Sequence, residues 1–242
     1  MKKQFQSRTS SGIRCLLAIT ALSISCGAVA AEANPVAALR AKRALLEQPL
    51  RQNQFDQPLV LESVETANGL KGDIYAILDH PITAVSAGLS DPAHWCDIML
   101  LHINTKYCRA AGKASATSLE VNIGKKTPEE LSESTRVTFG YRVTAATPDY
   151  LEVLLDARDG PLGTSDYRIQ LQAASLPNAK TFLHLTYSYS VNFSGRLAMQ
   201  AYLATVGRGK VGFTVTGSRQ DGQPDHIAGV RGLVERNTMR YY

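Results

Sequence analysis

The sequence predicts an α+β protein in which a curved antiparallel sheet wraps around a long C-terminal helix, with a short helical extension before the sheet. Three features of the chain lead to this prediction. Asn68-Gly69 separates two alternating runs, six more such runs follow between turn-rich separators, and residues 225–242 carry apolar side chains at helical spacing. Strands joined by short turns pair antiparallel, and a following helix buries its apolar stripe on the sheet.

Residues 1–30 have the pattern of a secretory signal peptide. Four basic residues and no acidic one precede Glu32, and a short apolar run (15–26) leads to an A-x-A site that ends at Ala30. The apolar run is shorter than the roughly 20 residues that span a membrane. We therefore expect a periplasmic or secreted protein, with cleavage after Ala30 or Ala31; an uncleaved N-terminal anchor is the alternative.

Removal of this signal changes the charge of the protein. The full chain has 26 basic and 21 acidic residues, a net charge of +5. Because four of the basic residues lie in the signal, the mature chain keeps 22 basic against 21 acidic residues. A nearly neutral chain gives no support for nucleic-acid binding. Its length fits one large domain that could enclose a cavity.

A short helix begins the mature chain. Asn34 is a good N-cap and Pro35 suits the first helical position, so we expect a helix over 36–47. This helix should end before Pro49, and the polar stretch 51–58 should be a linker. The expected domains are thus 1–30 (signal peptide), 31–57 (helix and linker) and 58–242 (main domain).

The main domain begins with a hairpin and two short helices. Asn68-Gly69 between the runs 59–66 and 70–78 is a strong signal for a tight β-turn. Residues 81–89 are rich in small side chains and predict a short helix. Ser90-Asp91-Pro92 then caps a second helix that ends near residue 101.

Strands form most of the remaining domain. The six predicted strands span 103–110, 118–124, 135–146, 149–157, 165–174 and 180–192. Residues 196–206 have a helical pattern, and 210–216 fit either a strand or a continued helix. Residues 225–242 form the last helix, with Ile227 and Val230 near one face.

Residues 94–110 concentrate chemically reactive side chains, among them the only Trp of the chain. A metal site here would use His94, Asp97 and His102, but no second Cys or His pair at ligand spacing supports it. A catalytic Cys96 would need an electropositive setting and a His base, whereas its neighbours are apolar and acidic. We therefore expect no metal, no catalytic residue and no cofactor at this segment.

A disulfide is the interpretation that export favours. After signal removal Cys96 and Cys108 are the only cysteines, and an isolated pair in an oxidising compartment is usually bonded. The chain turns from helix to strand between them, which brings the two thiols near each other. Closing this loop would stabilise the fold by about 3 kcal/mol in the chain-entropy model. Two buried free thiols are the alternative.

Aromatic and aliphatic side chains share one face of several predicted strands. The rows are Phe139 with Tyr141, Tyr167 with Ile169 and Leu171, and Leu185 with Tyr187 and Tyr189. His184 lies on the opposite face of its strand, where we expect solvent. A filled hydrophobic core accounts for each of these residues as well as a binding surface does.

The element order resembles that of the helix-grip superfamily, which includes START-like lipid-transfer domains and polyketide cyclase-like proteins. The resemblance covers about residues 58–242, and this chain looks like an exported bacterial branch. It also rests on Leu89-Ser-Asp-Pro-Ala-His-Trp-Cys-Asp97 at the helical insertion and on Gly232-Leu-Val-Glu-Arg-Asn-Thr-Met-Arg-Tyr-Tyr242 in the final helix. The N-terminal helix and the helical stretch at 196–206 depart from the pattern.

The resemblance implies a cavity between the sheet and the final helix. Its implied lining residues are Trp95, Phe139, Tyr141, Tyr167, Leu185, Tyr187 and Tyr189. The function implied is that of a soluble exported protein that binds or carries a hydrophobic small molecule or lipid, with transient membrane contact. Two alternatives stay open: a cyclase- or hydrolase-type enzyme that uses His94, Asp97 or a pocket tyrosine, and a protein-interaction module of the cell envelope.

Overall fold

Eight strands form one antiparallel sheet in the computed structural model, which describes residues 34–113 and 116–242. They are β1 (Leu59–Glu65), β2 (Gly69–Leu78), β3 (Thr105–Ala111), β4 (Ser118–Ile123), β5 (Thr135–Thr147), β6 (Tyr150–Asp159), β7 (Thr164–Leu176) and β8 (Lys180–Val191). Across the sheet they lie in the order β1-β2-β8-β7-β6-β5-β4-β3. The predicted α+β class is therefore confirmed, whereas the predicted signal peptide lies outside the described residues.

Helices pack on both faces of the sheet. They are α1 (Pro35–Leu45), α2 (Glu47–Arg51), α3 (Ile82–Leu89), α4 (Pro92–Leu100), α5 (Phe193–Ala204) and α6 (Gly229–Thr238). Polar side chains cap three of them: Asn34 accepts from the amide of Val36, Asp91 from Ala93, and Asn192 from Gly195. The caps predicted at Asn34 and Asp91 are thus confirmed.

The N-terminal region contains one helix more than expected. α1 ends before Pro49 as predicted, but the short helix α2 begins after a single residue and includes that proline, and the polar linker follows it. Pro49 lies in the first turn of α2, where a backbone N–H has no partner within the helix, so proline costs little there.

The last helix is shorter than the sequence predicted. Residues 224–226 form a small strand, β10, that pairs with β9 (Val215–Ser218), so α6 begins only at Gly229 and has 10 residues. Gly229 has a φ of +68°, a left-handed conformation that separates the strand from the helix. The ambiguous segment 210–216 is therefore mostly loop that leads into β9.

The two faces of the sheet pack against different helices. Residues of α3, α4 and α6 join one buried cluster on the face we call the inner face. On the opposite, outer face, Leu39 of α1, Leu50 of α2 and Leu46 between them pack with Tyr75, Tyr150 and Phe182. The N-terminal extension therefore covers the back of the sheet, and the main domain is buried on both faces over β2, β8 and β7.

A close backbone approach places α6 on the sheet. A Cβ atom at Gly72 would lie 2.1 Å from Oγ1 of Thr238, so only glycine allows β2 this near to the helix. Ser63 on β1 donates a hydrogen bond of 2.7 Å to the buried carboxylate of Glu235. One end of the inner face is thus closed by α6 through both a steric fit and a polar contact.

Candidate ligand site

All seven predicted ligand-binding side chains are buried on the inner face, within a single hydrophobic cluster. They come from four elements: Trp95 from α4, Phe139 and Tyr141 from β5, Tyr167 from β7, and Leu185, Tyr187 and Tyr189 from β8. Antiparallel pairing brings these strand rows together because alternate residues point to the same face. Their contact with a ligand stays a prediction.

Five aromatic rings, which we call the aromatic cluster, form the centre of this interior: Phe139, Tyr167, Tyr187, Tyr189 and Tyr241. Tyr167 stacks on Tyr189 with 5.3 Å between ring centroids and meets Phe139 edge-on at 6.1 Å. Tyr241, just beyond α6, lies 5.1 Å from Tyr187. The sequence rows did not include Tyr241, whose place depends on how the end of the chain docks.

The phenol hydroxyls of this cluster differ in their partners. Tyr167 donates a hydrogen bond of 2.8 Å to Thr164. Within residues 34–113 and 116–242, the hydroxyls of Tyr187, Tyr189 and Tyr241 have no hydrogen-bond partner. Burial raises the pKa of each of these three phenols well above its ordinary value, so all three stay protonated and can donate.

Trp95 and Tyr141 both donate a hydrogen bond to the backbone, unlike the tyrosines of the aromatic cluster. The indole of Trp95 donates to the Leu89 carbonyl at 2.8 Å, and the hydroxyl of Tyr141 donates to the same oxygen at 3.2 Å. Burial, and then the charge of Asp91, raises the pKa of Tyr141 to about 12. These two side chains therefore join the end of α3 to α4 and β5, and their polar atoms are already occupied.

The disulfide predicted between Cys96 and Cys108 is present and joins α4 to β3, with 5.2 Å between the two Cα atoms. His94 and Asp97 lie on the exposed side of α4, where the Nδ1 atom of His94 contacts the Gly88 carbonyl at 2.7 Å. In the described part of the chain, no three His, Cys, Asp or Glu side chains gather as metal ligands.

His102 is on the inner side and contacts the aromatic cluster. Its ring stacks on Tyr241 with 5.7 Å between centroids, and its Nδ1 atom accepts from the amide of Asn104 at 3.3 Å. Burial, followed by the charge of Arg240, lowers the pKa of His102 to about 4. His102 is therefore a neutral, flat polar group at the margin of the aromatic interior at neutral pH.

The outer face holds a polar group that the sequence did not predict. His184 is not solvent-facing: its ring stacks on Tyr75 at 4.3 Å, and its Nε2 atom contacts Asp73 at 2.9 Å. Burial opposes ionisation of Asp73, but hydrogen bonds from His184, Thr186 and Lys71 outweigh it and hold the pKa of this carboxyl below its ordinary value. Only the pairing of β2 with β8 brings these residues together.

This outer polar group continues across the sheet as a directed hydrogen-bond chain. Nδ1 of His184 faces the side-chain oxygen of Gln172 at 3.1 Å, and Gln172 donates to Tyr150 at 2.9 Å. Tyr150 then donates to Glu152 at 2.8 Å. Because α1 and α2 cover this face beside Tyr150, the chain stabilises the back of the sheet and lies away from the aromatic cluster.

Two depressions on the surface lie apart from most of the predicted ligand residues. One, of about 490 Å³, is lined by Arg40 and Arg43 of α1 and by residues 175–177. The other, of about 230 Å³, lies at the β1–β2 turn and includes Tyr189 among its lining residues. No helix among the described residues is both long and apolar enough to cross a bilayer.

No protein-family model matches the sequence, and a search of curated proteins finds no match either. Among solved structures, human StAR-related lipid transfer protein 5 matches 65% of this chain and 81% of its own at 9% identity and a TM-score of 0.40. A truncated norcoclaurine synthase from Thalictrum flavum matches 65% and 90% at 13% identity and a TM-score of 0.38. A conserved protein from Geobacillus kaustophilus matches 58% and 85% at 17% identity and a TM-score of 0.36.

Proposed function

We propose that this chain is an exported carrier that binds a hydrophobic small molecule or lipid along the inner face of its sheet. The observation that carries the proposal is the set of three phenols, Tyr187, Tyr189 and Tyr241, without a hydrogen-bond partner in the described part of the chain. The rings of Tyr187 and Tyr189 are buried, but the three hydroxyl oxygens are not among the fully enclosed unpaired atoms of the described residues, so each can meet a water molecule or the polar atom of a ligand. An amphiphile supplies both the apolar surface and the acceptor.

The proposed ligand contacts are of two kinds, apolar contacts and donated hydrogen bonds. The rings of Phe139 and Tyr167 and the side chain of Leu185 would bury the apolar part of the ligand, while Tyr187 and Tyr189 would donate to its polar atoms. Trp95 and Tyr141 would contribute apolar surface alone, because their polar atoms are bound to Leu89.

Export belongs to the same proposal. The disulfide between Cys96 and Cys108 supports it, because such bonds persist in oxidising compartments and are rare in the cytosol. The mass of the intact protein recovered from the periplasm or the medium tests it. A mass that starts at Ala31 or Glu32 is expected, whereas recovery of the uncleaved chain from the cytosol would contradict export.

The alternatives have less support. His94 and Asp97, which an enzyme at this segment would use, are exposed on α4 instead of facing the aromatic cluster. The apolar side chains of the N-terminal helices, which an interaction module would offer to a partner, pack on the protein's own sheet. A carrier uses the buried aromatic face directly, whereas an enzyme on the same face would have to rely on a pocket tyrosine alone.

The test is a direct search for a bound ligand. The full chain is purified without detergent, its organic extract is examined by mass spectrometry, and binding of a dansyl-labelled fatty acid is followed by fluorescence. We expect a co-purified amphiphile and a Kd about tenfold weaker for Tyr187→Phe, since one donated hydrogen bond is lost. Tyr107→Phe, at an exposed phenol on β3, is the matched control. No co-purified amphiphile and no binding of the labelled fatty acid would refute the proposal.

A further inference from the structure

Four basic side chains, which we call the basic cluster, converge where α6 ends: Lys126, Lys210, Arg236 and Arg240. Arg236 and Arg240 are one helical turn apart, and Arg240 donates to the Arg236 carbonyl at 2.9 Å. Arg236 also donates to the Val211 carbonyl at 3.3 Å, which places it beside Lys210. Lys126 is near Lys210 and both arginines, close enough for their charges to lower the pKa of its ammonium group.

No carboxylate neutralises this basic cluster. Within residues 34–113 and 116–242, none of its four members forms an ion pair with an Asp or Glu. The carboxylate of Glu235, next to Arg236 in the chain, accepts instead from Ser63 and Thr214. Lys210 contacts the hydroxyl of Tyr202 and lies 4.6 Å from the centre of that ring.

The electrostatic consequence is visible in Lys126. The contact with Lys210, then burial and the charges of both arginines, lower the pKa of Lys126 to about 8. Like charges held together without a counter-ion disfavour their own charged forms, and a bound anion removes that penalty. The arrangement of the four side chains therefore favours a negatively charged partner.

The basic cluster adjoins the aromatic cluster. His102 lies close enough to Arg240 and Lys126 for their charges to lower its pKa, and the ring of His102 stacks on Tyr241. Tyr241 in turn contacts Tyr187 with 5.1 Å between ring centroids. A continuous series of neighbouring groups thus connects the four cations, through a neutral imidazole, to the apolar interior.

We propose that the basic cluster binds the anionic head group, a carboxylate or phosphate, of an amphiphile whose apolar chain lies along the aromatic cluster. This inference rests on the proposed carrier function and specifies its ligand class. Guanidinium groups bind both oxyanions through two parallel hydrogen bonds, and lysines add point charges. An anion at this place satisfies the cations, while polar atoms beside the head group accept from the phenols and the apolar chain packs on the aromatic rings.

The test compares three probes by titration calorimetry with the full chain. Lysophosphatidate and a monoacylglycerol with the same acyl chain differ in head-group charge, and glycerol 3-phosphate is the head group alone. We expect lysophosphatidate to bind at least about tenfold more tightly than monoacylglycerol, and glycerol 3-phosphate to bind far more weakly than either.

Two double variants test whether the preference for the charged lipid comes from the basic cluster. Lys126→Gln with Lys210→Gln should abolish the preference for lysophosphatidate and leave the affinity for monoacylglycerol within about twofold. Arg236→Gln with Arg240→Gln should do the same if it folds, as judged by its thermal transition. The control pair, Lys180→Gln with Arg219→Gln, removes exposed cations that pair with Asp79 and Asp225 and should keep the preference.

The outcomes separate the two proposals. Equal affinity of the unaltered protein for both lipids would overturn the head-group site and leave the carrier. Tight binding of glycerol 3-phosphate alone would show a site for free anions and overturn the amphiphile. If neither lipid binds, the carrier function itself fails. Retention of the preference in the Lys126 and Lys210 double variant would also refute the basic cluster as the head-group site.

Discussion

Glu235 shows how a single side chain holds the segment before α6. It is wholly buried, and each of its carboxylate oxygens accepts two hydrogen bonds. Oε1 accepts from the hydroxyls of Ser63 and Thr214 at 2.7 Å each, and Oε2 from the amides of Phe213 at 2.7 Å and Thr214 at 2.9 Å. The loop that precedes β9 is thereby tied to both α6 and β1.

We therefore expect Glu235→Ala to lower the free energy of unfolding by about 3 kcal/mol, because one buried and three partly buried donors lose their acceptor. Urea unfolding followed by circular dichroism measures the change. Glu130→Ala, at an exposed position on a turn, is the control and should stay within about 0.5 kcal/mol of the unaltered protein. Equal stability of the two variants would show that these hydrogen bonds contribute nothing net.

His102 makes the stability of the fold depend on pH. Its pKa is about 4 in the folded chain, against about 6.5 in an unfolded one. As the pH falls from about 6.5 to about 4, the unfolded chain binds a proton that the folded chain does not, so stability decreases by about 3 kcal/mol. Below that window both states are protonated and this contribution stays constant. Urea unfolding at pH 7 and pH 4.5 should show the loss, and His102→Asn should make the difference smaller; an equal slope in the variant would contradict this account.

At the scale of elements, the N-terminal helix is an integral layer and not an appendage. Leu39 on α1 is only 4% exposed because it packs on the outer face, whereas Leu45 on the same helix is 79% exposed. Leu39→Ala should lower the free energy of unfolding by about 2–4 kcal/mol, and Leu45→Ala by less than about 0.5 kcal/mol. Thermal unfolding of the two variants measures this contrast. Similar small losses in both would mean that α1 adds little to stability.

The strands were predictable because their pattern is local. Alternation and turn residues placed every strand predicted between residues 103 and 192 to within two residues at either end. The segment before α6 was not predictable in this way. Residues 210–216 gain their conformation from Glu235, which is distant in sequence, and no local pattern reports that contact.

Some residues of the candidate site were predictable from local pattern, and others were not. The faces of Tyr167 and Tyr187 follow from alternation within one strand, so sequence reasoning placed them on a common surface. Tyr241 and the Asp73–His184 contact depend on which strands and helices become neighbours, and sequence periodicity carries no such information. The geometry of single strands was therefore sufficient to predict which side chains share a face. It was insufficient to predict contacts between elements that are distant in sequence.

For the whole molecule, the disulfide is the one covalent cross-link among the described residues. Replacing Cys96 and Cys108 together by alanine should lower the free energy of unfolding by about 3 kcal/mol, in line with the loop of 12 residues that the bond closes. Chemical denaturation of the double variant and of the oxidised protein measures the difference. If reduction and the double substitution both leave stability unchanged, the bond has no role in the fold.

The position of Cys108 has a consequence beyond stability. It lies on β3, which ends the sheet and pairs only with β4 in the described part of the chain. The free side of such a strand is a template for strand addition by another copy. A chain made where thiols remain reduced would lose the tether to α4, and light scattering should then detect growing multimers. The compartment in which the protein folds would thus decide whether it polymerises.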